Sequence, residues 1–562
     1  MGLKGSGNYV VKIILTFIIF ILSALPAAAA IVMPVQPEFI GPRLVALETV
    51  PLVDKLQMGS IGDVSFNHPE SIYQFYRDRN FESFWTNGDR ASSRARDAIN
   101  ILIDSESHGL NPDNYASGFL KSLSQDNLEN PLDFELILSE AIIRYGQDMT
   151  GIRIKPKLIG ADTRSWRGMD AYDVLKFIEE SGDVEEGLGA LAPQSPLYKR
   201  LKSELKKTKA EFEKQISPLA TKKFPGLLRV GQSHPVIADI RKILNLENKN
   251  DAVLFDPELE LAVKEFQSQS GIKPDGLVGT RTFTALQRGP QQKLMQIVAT
   301  MERIRWLPRE IPPRHIEVNI PRQVVELFKQ GDVYATIPVV IGRPERQTQD
   351  FITHITGIRF NPSWHVPPTI KSEDLLPALQ KSKNALKEKN LELVRYTSDG
   401  AQKIDPQSID WAAVTPEQMK QFGMVQDPGD KNPLGRIRVL MPNKYDIYLH
   451  DTNTPELFSK DYRALSSGCV RVADPKKLAN FILDDQDGWS EERMNEILST
   501  TKTKEITANN IPVYLTYQSI WQEGSRLIIG PDVYDSDVKL FNALAVAQKL
   551  PQSIQSLIVK GQ

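Results

Sequence analysis

Residues 463–472 read Arg463-Ala464-Leu465-Ser466-Ser467-Gly468-Cys469-Val470-Arg471-Val472, and Cys469 is the only cysteine of the 562-residue chain. Gly468 before it permits an unusual backbone angle or a close approach. Arg471 after it supplies a cation. His450, nineteen residues upstream in Ile447-Tyr448-Leu449-His450-Asp451-Thr452, supplies an imidazole. A thiol with its ordinary pKa of about 8.5 is mostly protonated at neutral pH, and a nearby imidazole raises the thiolate fraction by ion pairing and by accepting the proton. The pattern therefore reads as an activated nucleophile rather than a small buried hydrophobe. Asp446 to His450 reads as a strand, and Cys469 opens the turn after the polar loop Asp451 to Leu465, so a fold can bring the pair together. Backbone N–H groups around Gly468 are natural oxyanion donors. Arg471 can hold a substrate carboxylate or favour the thiolate.

Outward from this stretch the texture is β-rich. His315-Ile316-Glu317-Val318-Asn319-Ile320-Pro321 alternates, Val324 to Phe328 and Val333 to Ile341 carry β-branched residues, and the Gly-Asp of Lys329-Gln330-Gly331-Asp332 signals a hairpin turn between them. Ile358 to Phe360, Ile437 to Met441, Ile511 to Gln518 and Arg526 to Ile529 add strands, and a last helix is expected near Asp537 to Ala547. Residues 370–430 turn helical and polar, as a helical lid laid over a β-rich domain would. The expectation is a catalytic domain over 312–545 with a capping insertion at 370–430, and a tail at 546–562.

The first half of the chain is helical. Ile72, Phe75 and Tyr76, then Phe81, Phe84 and Trp85, then Ala98, Ile99, Leu102 and Ile103 recur at helical intervals. Leu136 to Tyr145, Tyr172 to Glu180 and Leu197 to Gln215 continue the pattern, giving a helical scaffold over 66–222. At 225–290 a smaller unit contains Phe255-Asp256-Pro257, where Asp256 can cap a helix that starts at Pro257 and buries Leu259, Ala262, Val263 and Phe266. Residues 31–65 hold several prolines and little periodicity and read as a linker or extended lead-in. The fold class is multidomain α+β.

Residues 1–30 combine Lys4 and Lys12 with no acidic residue, the 13-residue apolar run Ile13 to Leu25, and Pro26-Ala27-Ala28-Ala29-Ala30. These are the three parts of a secretory signal peptide, and a bilayer-spanning helix needs about 20 apolar residues. The expectation is an exported protein, soluble or peripheral, with no stable transmembrane segment after cleavage and an uncleaved anchor as the alternative. Loss of Lys4 and Lys12 takes the formal net charge from −2 to −4, too near neutral to suggest a nucleic-acid partner. The lone thiol cannot form a disulfide within the chain. His68, His234, His315 and His354 are scattered, with no metal-ligand spacing. No metal and no cofactor are expected.

Two larger patterns carry resemblances. Ala262-Val263-x-x-Phe266-Gln267 and Asp275-Gly276-x-x-Gly279 resemble the small three-helix peptidoglycan-binding domain of cell-wall enzymes. His450-Asp451-Thr452, Phe458 and Arg463 to Val472 resemble the signature of the L,D-transpeptidases with a YkuD-type catalytic domain. Arg305-Trp306-Leu307-Pro308, Val318-Asn319-Ile320-Pro321, Val339-Val340-Ile341-Gly342, Asn361-Pro362-Ser363-Trp364-His365-Val366-Pro367, Asn432-Pro433-Leu434-Gly435 and Met441-Pro442-Asn443 are similar to its large periplasmic branch. Ser467 stands where many members carry a histidine, which leaves His450 alone as base, and Gln349 stands where the branch has proline. The resemblance implies Cys469 as nucleophile and His450 as base, with Gly468, Ser467, Tyr448 and Arg471 positioning the substrate. Trp364 and Asn361 would shape the pocket, with core packing an equal reading for Trp364. It implies 3→3 cross-linking of peptidoglycan stem peptides with release of D-Ala, or carboxypeptidase action when water replaces the amine. Peptidoglycan stems and glycan would be the partners, together with proteins of wall synthesis. A non-catalytic wall anchor is the contrasting reading.

Overall fold

The computed structural model describes residues 47–125, 127–151, 153–154, 168–212, 217–219, 221–246, 252–397 and 400–555. The expected signal peptide and the start of the lead-in lie outside the described residues. The rest of the lead-in is more than a linker: Ser60–Ile61 pairs with Val64–Ser65 in a short hairpin, and Thr49–Met58 is a helix whose Leu52 and Leu56 enter the helical core. Its apolar residues four apart share a face, which the prolines around them obscured in the sequence.

The helical body centres on α1 (Pro131–Thr150) and α2 (Pro196–Phe212). Asn130 caps α1 through Asp133 N–H, with Pro131 in the first turn. The next unit holds α3 (Val236–Ile243), α4 (Pro257–Gln269) and α5 (Thr280–Gln287) around its own core of Ile237, Ile240, Leu259, Val263 and Phe283. Asp256 does cap α4, accepting from Leu259 N–H at 2.8 Å, and its carboxylate also grips buried Arg241 at 3.0 Å through each oxygen. Gln267 is buried and locks the Asp-Gly turn: its Oε1 accepts from Gly276 N–H and its Nε2 donates to Asp275 and Leu277. α6 (Pro290–Trp306) then returns to the helical body.

The β-rich domain is a closed sheet. Its strands are β1 (His315–Asn319), β2 (Val324–Lys329), β3 (Asp332–Gly342) and β4 (Phe351–Phe360), then, beyond the insertion, β9 (Ile437–Leu440), β10 (Leu449–His450), β11 (Ala464–Ser466), β12 (Val470–Val472) and β13 (Lys504–Thr516). Hydrogen bonding runs β3-β12-β10-β9-β4-β13-β1-β2 and back to β3, which closes the sheet and removes its edges, while β11 pairs with the end of β3. The β10–β12 and β1–β13 pairs are parallel. Inside lie Val318, Val339, Ile358, Val439, Leu449, Val470 and Val513. The β2–β3 turn is centred on Gln330-Gly331, both at positive φ (57° and 89°), one residue earlier than the Gly-Asp reading.

Two expectations are corrected. The insertion is not a purely helical lid: β5 (Trp364–His365), β6 (Glu392–Thr397), β7 (Gly400–Lys403) and β8 (Gly423–Gln426) form a four-stranded antiparallel sheet backed by short helices. It buries its own core of Leu375, Leu379, Leu386, Trp411 and Met424, so it is a small α+β subdomain. Nor does the expected catalytic domain run to 545 with a separate tail from 546. After Tyr517 the chain leaves the barrel and enters the helical body, where α7 (Ser536–Val546) packs on α6 and Leu540, Phe541, Leu544, Leu550 and Ile554 join the helical core. The apolar spacing of these residues is helical and indifferent to which body it joins, so the sequence pattern could not assign it.

Candidate active site

β10 and β12 build the site from their register. They pair Leu449 with Val470 and His450 with Arg471, and β9 pairs Arg438 with His450. Alternation therefore places Tyr448, His450, Cys469, Arg471 and Arg438 together on one face, with His450 flanked by a guanidinium from each neighbouring strand. Tyr448, His450, Ser466, Ser467, Gly468, Cys469 and Arg471 line one cleft of about 590 Å³, closed on the far side by Trp364, Pro367 and Ile370 at the root of the insertion. The sequence-predicted residues are thus brought together, with one exception. Asn361 is fully buried, donates to the Ile497 and Lys502 carbonyls at 2.9 and 3.0 Å, and accepts from Arg436 Nε at 2.8 Å. Every polar atom of that side chain is spent on structure, so Asn361 is not a pocket residue.

The turn holding Cys469 is tightly specified. Ser466 Oγ donates to the Cys469 carbonyl at 2.6 Å and accepts from Gly468 N–H at 3.1 Å. Gly468 has φ = 120°, a conformation that a side chain would strain. Its N–H is occupied by Ser466, so the oxyanion donor is not that group. The Cys469 N–H makes no hydrogen bond among the described residues.

The electrostatics differ from the thiolate–imidazolium pair that the sequence suggested. Burial pushes the Cys469 thiol up, opposed by the Tyr448 phenol and the Arg438 and Arg471 charges. The thiol is half-buried and donates to the Asp446 carbonyl at 3.6 Å. Burial and Arg471 hold His450 down at about 3, so the imidazole is neutral at pH 7. Tyr448 is raised by burial and by the neighbouring Cys469, and remains a neutral donor. Among the described residues three buried nitrogens near the sulfur have no hydrogen-bond partner: Arg438 Nε, His450 Nδ1 and Arg471 Nε. Native interiors rarely leave such groups unpaired, and two of the three belong to cations that match carboxylates.

Arg438, Arg346 and Gln349 were missed as site residues. Arg438 was legible in Ile437-Arg438-Val439, where alternation sets it opposite the core-facing pair. Arg346 is a bridge: it donates to Glu373 and Asp374 of the insertion at 2.6–3.1 Å and to Ser467 Oγ at 3.3 Å. Gln349 lines the cleft, so its departure from proline bears on the cleft wall as well as on the turn. His365 bonds Tyr396 at 3.2 Å within the insertion. Among the described residues no cluster of His, Cys, Asp and Glu could hold a metal ion.

Residues 313–505, which carry the whole of this thiol site, match the family model described as the L,D-transpeptidase catalytic domain, YkuD. The chain carries an L,D-transpeptidase catalytic domain. Residues 70–205 match a scaffold domain, and residues 242–286 match a domain provisionally described as peptidoglycan binding. A Haemophilus influenzae protein provisionally named as an L,D-transpeptidase is 35% identical over 233 residues, 41% of this chain and 46% of that protein. The match thus spans about half the length of that relative. Two crystal structures of L,D-transpeptidases are similar to the chain at 13% identity. One, from Xylanimonas cellulosilytica, matches over 53% of this chain and 100% of its own, with a TM-score of 0.17. The other, from Stackebrandtia nassauensis, matches over 51% and 94%, with a TM-score of 0.18. Among the described residues no helix is long and apolar enough to cross a membrane.

Proposed function

We propose that the protein forms 3→3 cross-links between peptidoglycan stem peptides through a thioester on Cys469. The observation that carries this reading is a thiol sharing a cleft with a neutral imidazole and with Arg471, whose Nε is unpaired among the described residues. A stem peptide is rich in carboxylates, and its arrival would pair that group. The thiol loses its proton to His450 as the sulfur attacks the carbonyl between meso-diaminopimelate and the terminal D-Ala of a tetrapeptide stem. The Cys469 N–H and the Tyr448 phenol take the developing negative charge on the oxygen. The C–N bond breaks, the departing D-Ala amine takes the proton back from His450, and a thioester remains. The amine of a second stem then attacks the thioester, His450 takes its proton, and the restored thiol leaves as the cross-link closes.

His450 is a weak base until negative charge gathers beside it, so proton transfer is coupled to attack rather than preceding it. Arg471 and Arg438 hold stem carboxylates, Ser467 sits at the mouth of the cleft, and the insertion shields the thioester from water. The 242–286 module holds the glycan, and the enzyme works after export, in the periplasm, alongside proteins of wall synthesis. Purified protein incubated with a tetrapeptide-bearing disaccharide should give cross-linked dimers and free D-Ala by mass spectrometry, with neither from Cys469→Ala. Trimmed tripeptide without dimer would assign carboxypeptidase action instead. Unchanged substrate with the wild-type protein would leave only a wall anchor.

A further inference from the structure

The turn that carries the nucleophile is fastened from behind by residues outside the thiol site. Thr348 Oγ1 donates to the Gly468 carbonyl at 2.7 Å and accepts from Gly342 N–H at 2.9 Å. A hydroxyl has one proton, so this one is committed to Gly468. Tyr534 repeats the arrangement one step back: its hydroxyl donates to the Gly342 carbonyl at 2.6 Å and accepts from Thr348 N–H at 3.3 Å. Its backbone N–H donates to the Tyr517 hydroxyl at 2.9 Å, and Tyr517 donates to Asp532 at 2.5 Å. Thr348 and Tyr534 are 2% and 3% exposed, so water does not compete for these groups.

A planar trans peptide sets C=O and N–H on opposite sides. Tying the Gly468 carbonyl back to Thr348 therefore turns the Cys469 N–H away from Thr348, and that N–H makes no hydrogen bond among the described residues. Gly468, at φ = 120°, has the backbone freedom to let this peptide rotate, so something must stop it. Tyr534 lies beyond residues 313–505, on the segment that carries the chain from the barrel into the helical body.

We propose that Thr348 and Tyr534 are positioning residues that fix the Gly468–Cys469 peptide so that the Cys469 N–H serves as oxyanion donor, with Tyr534 bringing the chain's C-terminal segment into the site. This rests on the thioester reading in requiring an acyl transfer, though not in requiring any particular substrate. Loss of one oxyanion donor costs about 10²–10³ in rate; loss of its alignment should cost less, about 30-fold for Thr348→Val and about 5-fold for Tyr534→Phe.

The test compares two reactions of the same thiol in the full chain. Acetylation of Cys469 by p-nitrophenyl acetate builds an oxyanion; alkylation by iodoacetamide does not. Both are read by intact mass, with Cys469→Ala as blank. Thr348→Val and Tyr534→Phe should slow acetylation by these factors while alkylation stays within about twofold, Thr348→Ser should restore acetylation, and the double variant should be no slower than Thr348→Val alone. Acetylation unchanged in both variants, or acetylation and alkylation falling together, would overturn the proposal. A wild-type protein inert toward stem peptides would defeat the proposed function yet leave this comparison intact.

Discussion

Alkylation of Cys469 as a function of pH tests the charge state of the site directly. In water an imidazole titrates near 6.5; His450 is held at about 3, a difference that makes its protonation about 5 kcal/mol harder. Burial pushes the Cys469 thiol above its ordinary value, so it is protonated at pH 7. Even from the ordinary thiol value of about 8.5, moving the proton from sulfur to imidazole spans more than about five powers of ten, or about 7–8 kcal/mol. Two opposite charges about 4 Å apart at an effective dielectric of 20 recover about 4 kcal/mol. The pair is left about 4 kcal/mol uphill, about one molecule in a thousand. The iodoacetamide rate should therefore rise about tenfold per pH unit from 7 to 9 and level off only below about pH 6, where the rare ion pair outnumbers the free thiolate. His450→Ala should change it by less than about threefold at pH 7, yet lower peptide turnover by about 10²–10⁴, the usual worth of a general base. A flat rate between pH 5 and 8 that vanished in His450→Ala would show a preformed ion pair and refute the reasoning.

Other consequences are open to measurement. Asn361→Ala strands Arg436 Nε and two carbonyls in the interior, so it should lower unfolding free energy in urea by about 2–4 kcal/mol while leaving KM for the stem within about twofold. Glu302 is fully buried between Arg153 and Arg305, at 2.8 and 2.6 Å; Glu302→Gln leaves two buried cations against a neutral side chain and should cost about 3–5 kcal/mol by calorimetry. Arg346 joins the insertion to Ser467 through carboxylates that are 58% and 44% exposed, so Arg346→Ala should change stability by less than about 1 kcal/mol, in a salt-dependent way. Because it unties the insertion from the nucleophile turn, it should raise the ratio of trimmed tripeptide to dimer. A carbapenem should add its mass to the wild-type chain and not to Cys469→Ala.

The features legible in the sequence and those hidden from it divide along a physical line. Local chemistry was legible: Asp256-Pro257 announces a cap, the β-branched runs announce strands, and a lone cysteine beside Gly468 with His450 upstream announces a nucleophile. Alternation even held Arg438 in plain view, because residues two apart share a face whatever the fold. The charge state of the site was not legible, because it depends on how deeply His450 is buried and on which cations flank it. Those facts arise from pairing β10 with both β9 and β12, strands separated along the chain by polar loops. Asn361 fails for the same reason. Its motif neighbour Trp364 does line the cleft, but at φ = 47° Asn361 turns the chain at the end of β4 and spends its amide on the carbonyls beyond it. Motif membership records that a residue is needed, and only packing distinguishes being needed by the substrate from being needed by the backbone. Tyr534 is the converse case: some 65 residues from the nucleophile along the chain and in no motif, it is two hydrogen bonds from the Gly468 carbonyl. The helical body is therefore joined to the thiol turn by the chain itself, through the Asp532–Tyr517–Tyr534 bonds just beyond the barrel's last strand. A catalytic domain cut after β13 would keep Cys469, His450 and both arginines while losing the support behind Gly468.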